Sequence, residues 1–318
     1  MDTFLIMLKN VLIFVLLAVP GYLLVKGKVL SARESGVLSK LLTNIGMPFL
    51  ILSSSLKLKF DGELTKNIII VGVLGVVFIL FMFFTTAFLC RSKEKAARGM
   101  MRFCAIFANN GFIGIPLVRA VFGDDSVVMA YTIILNILNN VLMFTLGVYL
   151  VSGDKKAINI KKALLNPVLL AFIAGVALNL LKVNDFLPEL QTYATHFSGI
   201  VTPLSMLVLG MKLAQVPMKR LFTSGKMYYT SALRLVLYPA LAVGVMLLNN
   251  LIPFADLGVN GILAFFMAYS MPVAGLASAF ADQYGGDGEN AVILTLGSTV
   301  LSVATIPVLY WLLTMFVK

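Results

Sequence analysis

The sequence predicts an all-α polytopic membrane protein with ten transmembrane helices arranged as two inverted five-helix repeats. Of the 318 residues, 60% are hydrophobic and only 12% are charged, and the mean hydropathy is +0.98. Soluble domains carry about 25% charged residues, so this composition excludes an ordinary soluble fold. The apolar residues fall into long runs, and the two halves of the chain repeat several short patterns in the same order.

Ten apolar runs have the length of a membrane-spanning helix, which needs about 20 residues. The predicted segments, numbered 1 to 10 in chain order, are 4–26, 36–56, 67–90, 100–122, 127–151, 163–182, 190–214, 228–250, 259–283 and 290–317. Every connection between them is short, so no separate soluble domain is expected. No small-x-small cleavage site follows the first run, which is expected to stay in the membrane as a signal anchor.

Lysine and arginine are unevenly distributed between the two ends of these segments. Sixteen lie in or next to the connections after segments 1, 3, 5 and 7, and seven lie at the opposite ends. Cytoplasmic loops carry the excess of basic residues in membrane proteins. The sequence therefore predicts a multi-pass protein of the plasma or inner membrane with both termini on the extracytoplasmic side. This reading explains the net charge of +11 without a nucleic-acid partner.

The two halves of the chain resemble each other. The stretch from Pro48 to Leu58 matches the stretch from Pro203 to Leu213 in its Pro, Lys and Leu positions, at an offset of 155 residues. The stretch Gly21–Lys28 similarly matches Gly175–Lys182. Because five spans are an odd number, the second copy must be inverted in the membrane. The predicted repeats are residues 1–152 and 153–318.

Segments 4 and 9 are interrupted near their midpoints. The stretch Asn109–Pro116 holds two amides, two glycines and a proline, and Tyr269–Gly275 holds a proline and a glycine. Glycine and proline weaken a helix, and unpaired backbone is tolerated in a membrane only inside protein or beside a cavity. Two interruptions at corresponding places predict a transporter binding site where helices 4 and 9 cross. A pair of kinked structural helices is the alternative.

Each interrupted helix is expected to restart at the bilayer midplane, near Gly114 and Val273. Helix N-termini offer free N–H groups and a partial positive charge, and they bind carboxylate or phosphate readily. Pro116 and Pro272 suit the first turn of a restarting helix. The amides beside them either donate to a ligand or only cap the broken ends. The predicted substrate-binding residues are Asn109, Asn110, Gly111, Gly114, Pro116, Asn136, Asn140, Tyr269, Ser270, Pro272, Val273 and Gly275.

Segment 5 carries three amides, Asn136, Asn139 and Asn140, whose spacing places them on one helix face. Buried amides in membranes often hold helices together, and both this role and a binding role stay open. The serines Ser53–Ser55 at the end of segment 2 are interpreted as packing residues.

Two basic residues lie inside segments. Lys40 and Arg234 are each about two turns from the cytoplasmic end, and both are expected to extend to the membrane interface. Pairing of Arg234 with Asp282, or a role at the cytoplasmic entrance, is the alternative. His196 is expected at the interface, and no metal-ligand spacing surrounds it. No phosphate loop or nucleophile elbow occurs, so no catalytic residue, metal or cofactor is predicted.

These residues resemble the auxin efflux carrier family, whose plant members are the PIN-FORMED proteins and whose bacterial members include malonate and malate transporters. The resemblance covers essentially the whole chain. Its most specific pieces are Asn109–Leu117, Asn166-Pro167, Pro272 with Gly275, and Asp282–Asp287. It implies a fold shared with bile-acid sodium symporters and, more distantly, with sodium–proton antiporters. It also implies that the broken helices cross at their prolines, with segment 2 and the polar face of segment 5 beside the substrate. This placement favours Asn136 and Asn140 as site residues, and one of Ser53–Ser55 could contact the substrate.

The resemblance further implies a homodimer built from two kinds of domain. Segments 1, 2, 6 and 7 would form a scaffold, and segments 3–5 and 8–10 would form a transport domain that moves as an elevator. Plant members carry a long cytoplasmic loop between segments 5 and 6. Residues 152–162 are too short for such a loop, which argues against plant-type regulation and against auxin as the substrate.

The function predicted from these observations is secondary transport of a small organic anion, such as a dicarboxylate or an aromatic carboxylate. A membrane-embedded anion sensor that uses the same pocket is the alternative, although the short connections leave no output domain. None of the fourteen Asp and Glu residues is placed near the bilayer centre. Proton-coupled carriers commonly hold such residues within the membrane, so electrogenic movement of the ionised substrate without an obligatory proton is expected.

Overall fold

The computed structural model describes residues 2–31, 34–58, 61–215 and 218–316, and the backbone of this part of the chain is mostly helical. The main helices, in chain order, are α1 (Asp2–Lys26), α2 (Glu34–Lys57), α3 (Gly62–Leu89), α4 (Lys95–Ile106), α5 (Asn110–Phe122), α6 (Val127–Ser152), α7 (Pro167–Leu180), α8 (Glu189–Leu213), α9 (Gly225–Asn249), α10 (Gly258–Ser270), α11 (Ala277–Tyr284) and α12 (Gly288–Phe316). Shorter helical turns connect some of them at Lys155–Ala157, Ile160–Leu164, Val183–Phe186 and Met218–Phe222.

Within the described residues, seven helices are long and apolar enough to cross a membrane: α1, α2, α3, α6, α8, α9 and α12. Three shorter apolar helices, α5, α7 and α10, accompany them. The prediction of an all-helical, multi-pass membrane chain is confirmed. At 1.5 Å per residue, the 14 residues of α7 span only about 21 Å, less than the roughly 30 Å hydrocarbon core. Residue 317, the predicted end of segment 10, lies outside the described residues.

Glycine permits the closest contacts between helices. A Cβ atom on Gly210 of α8 would lie 1.8 Å from the main-chain oxygen of Ala18, and one on Gly21 of α1 would lie 2.0 Å from that of Leu207. The backbones of α1 and α8 therefore touch, as small residues allow in membrane helix pairs. A Cβ on Gly175 of α7 would similarly lie 2.7 Å from the Cβ of Ser55 on α2.

Wide π-helical turns interrupt several helices close to prolines. They cover Leu42–Gly46 in α2, Asn110–Gly114 at the start of α5, and Leu233–Leu237 in α9. A proline follows each of these π-turns within two residues. Proline lacks an N–H, and its ring displaces the carbonyl one turn earlier. A π-turn accommodates that displacement and commonly marks a functional site. A fourth, Met143–Gly147, lies within α6.

Candidate functional site

The two interrupted stretches cross in extended conformation and pair with each other. Asn109 N donates to Pro272 O at 2.8 Å, and Ala274 N donates to Phe107 O at 2.9 Å. This pairing is an antiparallel β-bridge between Ala108 and Val273. Among the described residues it is the only β-bridge. The pairing gives partners to backbone groups that the breaks would otherwise leave exposed in the membrane interior.

Arg234 holds the two helices that end at this crossing. Its Nη1 donates to Ile106 O at 2.9 Å, at the end of α4, and its Nε donates to Met271 O at 2.9 Å. Its Nη2 also donates to Ala268 O of α10 at 3.3 Å. The side chain is fully buried, with 0% exposure. The ends of two helices thus meet around one guanidinium.

The expectation that Arg234 extends to the membrane interface is wrong. Helix C-termini carry unpaired carbonyls and a partial negative charge, and a guanidinium has five N–H donors with which to meet them. No ion pair with Asp282 forms among the described residues. Lys40 is exposed, as the same expectation required.

One of the two helices that follow the breaks restarts where predicted, and the other does not. The α-helical part of α5 starts at Ile115, next to the predicted Gly114. α5 begins at Asn110 with a π-turn, and Pro116 lies in the first turn of its α-helical part, as predicted. α11 begins only at Ala277, so the expected restart at Val273 with Pro272 in the first turn is wrong. The reason is that Val273 N already donates to Ser298 Oγ at 3.1 Å, which keeps this stretch extended.

A cavity of about 190 Å³, the crossing cavity, lies beside the paired stretches. Its walls come from α2, the crossing, α6 and the start of α7. They are formed by Thr43, Met47, Ala108, Asn109, Gly111, Phe112, Asn136, Asn139, Asn140, Met143, Phe144, Leu165, Asn166, Pro167, Val168, Ala274, Gly275 and Leu276. Five predicted site residues are therefore brought together here: Asn109, Gly111, Asn136, Asn140 and Gly275.

The amides of α6 have different surroundings. Asn139 accepts from Ala108 N and donates to Ala108 O, both at 3.2 Å, so it clamps the centre of the crossing. Asn140 donates to Asn136 O at 2.8 Å and to Asn136 Oδ1 at 3.2 Å. The Nδ2 of Asn136 has no hydrogen-bond partner within the described part of the chain. Asn136 thus lines the cavity and keeps one unpaired, buried donor, whereas Asn139 is structural.

The other predicted site residues surround the cavity without lining it. Asn110 is buried, and its Oδ1, lacking a partner among the described residues, lies 3.4 Å from the Cβ position of Gly114. The hydroxyl of Tyr269 donates to Gly75 O at 3.3 Å, on the α3 side. Ser270 is also buried. Pro272 and Val273 belong to the crossing itself. Gly114 and Pro116 do not line the cavity either.

Three helix N-termini converge on the crossing cavity. Gly111 lies in the first turn of α5, and Leu276 precedes the first residue of α11. The third is that of α7, where the Oδ1 of Asn166 accepts from Val168 N at 2.9 Å. The predicted substrate-binding residues include none from α7, although Asn166-Pro167 is a good start signal for a helix.

Serines of α2 lie away from this cavity. Ser53 accepts from Gln191 Nε2 at 2.9 Å and packs against α8. Ser54 and Ser55 are buried, and Ser55 faces Gly175 of α7. None of the three lines the crossing cavity, so the packing interpretation fits. His196 is exposed, and no group of three His, Cys, Asp or Glu within the described ranges could hold a metal ion.

A second cavity of about 590 Å³, the vestibule, adjoins the first. The two share Thr43, Phe144, Gly275 and Leu276 as walls. The vestibule is also lined by Lys40, Lys212 and Asp282.

The opposite face carries another cavity of about 640 Å³ that shares no lining residue with the crossing cavity. Near it Asp124 pairs with Lys57 at 3.1 Å and with Arg119 at 2.8 Å. Of these two larger cavities, only the vestibule shares described wall residues with the crossing cavity.

Comparison with known proteins finds one family and two similar transporters. Residues 6–310 match the family described as "Membrane transport protein". The chain is 28% identical over 304 residues to an "Uncharacterized transporter" of Methanothermobacter thermautotrophicus, with 94% of each chain covered. It is 26% identical over 261 residues to a "Putative malonate transporter" of Rhizobium meliloti, which covers 79% of this chain and 78% of the relative.

Proposed function

The chain belongs to the membrane transport protein family, as its resemblance to auxin efflux carriers predicted, and we propose that it is a secondary transporter of a small organic anion. The anion binds in the crossing cavity between the two broken helices. A short dicarboxylate is the preferred substrate class. No catalytic role is assigned to the cavity.

The observation that carries this proposal is the chemistry of the cavity wall. The wall contains no acidic or basic side chain among the described residues, but it contains the amides of Asn109, Asn136, Asn140 and Asn166. Three helix N-termini add partial positive charge, which favours an anion. The buried Arg234 lies behind the crossing and contributes a full positive charge. An anion is therefore attracted to the cavity, and no acidic side chain among its described lining residues repels it.

Size favours a dicarboxylate over an aromatic carboxylate. Pockets for drug-sized ligands are usually about 300–1,000 Å³, and the crossing cavity is about 190 Å³. A molecule of three to five carbon atoms with two carboxylates fits this space better than one with a fused ring. The description of the Rhizobium relative as a malonate transporter supports the same class for this chain.

The proposed architecture has ten spans in two inverted repeats of five. The crossing supports this architecture, because the two broken stretches come from different halves of the chain and run antiparallel to each other. Asn109 N donates to Pro272 O, and Ala274 N donates to Phe107 O, so the two hydrogen bonds are related by a local two-fold axis. The close contact of α1 with α8 and of α2 with α7 supports a scaffold of segments 1, 2, 6 and 7. The remaining segments would then move together as an elevator, in a homodimer whose termini face outward.

Counterflow in proteoliposomes tests the proposed function. Purified protein is reconstituted with unlabelled malonate inside, and uptake of radiolabelled malonate is followed against protein-free liposomes. A transporter gives transient accumulation of label above equilibrium, because outward and inward movement exchange at the same site. Malonate binding without counterflow would favour an anion sensor, and absence of both binding and counterflow for a panel of carboxylates would contradict the proposal.

A further inference from the structure

Lys212 occupies an unusual position at the end of α8. A lysine in the last turn of a membrane helix usually extends its ammonium to the interface. The Lys212 side chain instead turns inward, and its Nζ donates to Gly275 O at 3.1 Å. Within the described part of the chain no carboxylate lies within 4.0 Å of this ammonium. Its present partner is a neutral carbonyl at the edge of the crossing.

Gly275 separates this ammonium from the amides of the crossing cavity. It lines both the cavity and the vestibule, and its Cβ position lies 3.4 Å from Asn109 Nδ2. Ordinary bond lengths across one residue therefore place Asn109 Nδ2 and Lys212 Nζ within about 10 Å of each other. Because Gly275 lacks a side chain, only its backbone lies between the two donors.

Two donors within this distance of each other are within reach of one short dicarboxylate. The outer oxygens of a three-carbon dicarboxylate lie about 5 Å apart, and a hydrogen bond adds about 3 Å at each end. One carboxylate can thus accept from Asn109 while the other reaches Lys212. A charged carboxylate is also a stronger acceptor for an ammonium than the carbonyl of Gly275. The second carboxylate would therefore replace Gly275 O as the partner of Lys212.

We propose that Lys212 is the second carboxylate subsite and makes the transporter selective for dicarboxylates over monocarboxylates, an inference that rests on the proposed function. Lys212 lies on α8 and Gly275 lies between α10 and α11. The subsite is therefore complete only when these elements are adjacent, as they are in this structure. A monocarboxylate would occupy the amide end alone and would gain nothing from Lys212.

The test compares malonate with its monomethyl ester, which has nearly the same size but one carboxylate. Counterflow of each labelled compound is measured in proteoliposomes for the wild type, Lys212→Met, Lys212→Arg and Lys40→Met. Lys40 is the matched control, because it is a lysine that also lines the vestibule but is exposed, whereas the Nζ of Lys212 donates to Gly275 O. The apparent affinity for each compound is then expressed as a ratio, malonate over monomethyl ester.

We expect Lys212→Met to weaken malonate affinity about 10- to 100-fold while leaving the monomethyl ester within about twofold of wild type. Lys212→Arg should retain most of the preference, and Lys40→Met all of it. An unchanged ratio in Lys212→Met, or an equal loss of both compounds, would overturn the inference while leaving the proposed function intact. Absence of counterflow for any carboxylate in the wild type would instead overturn the proposed function, and this inference with it.

Discussion

The guanidinium of Arg234 and the main-chain oxygen of Ile106 are 2.9 Å apart, although the residues are 128 positions apart in the chain. This hydrogen bond joins α9 to the end of α4, two residues before the centre of the crossing. The same guanidinium also binds the end of α10. Arg234 therefore fixes the relative positions of the two broken helices while supplying positive charge close to the proposed anion site.

Replacing Arg234 by Met should destabilise the protein strongly. The substitution leaves three carbonyls without their donor, and each buried unpaired group costs about 1–3 kcal/mol. Thermal unfolding of detergent-purified protein should therefore show a clearly lower Tm. Arg91→Met is the matched control, because Arg91 is exposed and donates to a single nearby carbonyl, Phe88 O. Equal Tm values for the two variants would show that the guanidinium does not hold the crossing together.

Gly210→Ala should disrupt the pairing of α1 with α8. The added Cβ would lie 1.8 Å from the main-chain oxygen of Ala18, so the two backbones must separate and lose their packing contacts. Gly244→Ala in α9 offers a control, since its Cβ would meet nothing within 4 Å. We expect lower yield and lower Tm for the first variant only. Similar stability of both would contradict the close approach of α1 and α8.

Orientation in the membrane is predicted from the basic residues and is open to cysteine labelling. A cysteine placed within Ser152–Lys156 should be protected from an impermeant thiol reagent in intact cells. A cysteine at Asp256, which is exposed at the opposite face, should react. Background labelling is expected to be low, because Cys90 and Cys104 are buried. Labelling from outside at residues 152–156 and protection at Asp256 would reverse the proposed orientation.

The sequence predicted the positions of the two breaks because glycine, proline and amides are local signals in otherwise apolar runs. It could not predict what satisfies the broken ends. Arg234 finds its acceptors on residues 34 to 128 positions away, and Ser298 takes the N–H of Val273 from α12. These contacts come from tertiary packing, which leaves no periodic signal. For the same reason the inward turn of Lys212 and the contribution of α7 were not foreseen.

Transport should be driven by membrane potential and by the substrate gradient. No Asp, Glu or His lines the crossing cavity among the described residues, so no group there is suited to carry a proton with the anion. Asp282 lines only the adjacent vestibule. Uptake of labelled malonate should therefore respond to an imposed potential. Accumulation driven by a pH or sodium gradient alone, with the potential clamped at zero, would contradict this prediction.

The central claim is that a small organic anion binds at the crossing of the broken helices, and calorimetric binding of malonate to purified protein tests it most directly. Asn109→Ala removes a cavity-lining amide, whereas Asn260→Ala removes an exposed amide from the separate 640 Å³ cavity. A lost hydrogen bond to a charged partner costs about 1.5–3 kcal/mol. Asn109→Ala should therefore weaken malonate binding by roughly 10- to 100-fold, with Asn260→Ala unchanged. Wild-type affinity in folded Asn109→Ala would place the anion elsewhere and contradict the claim.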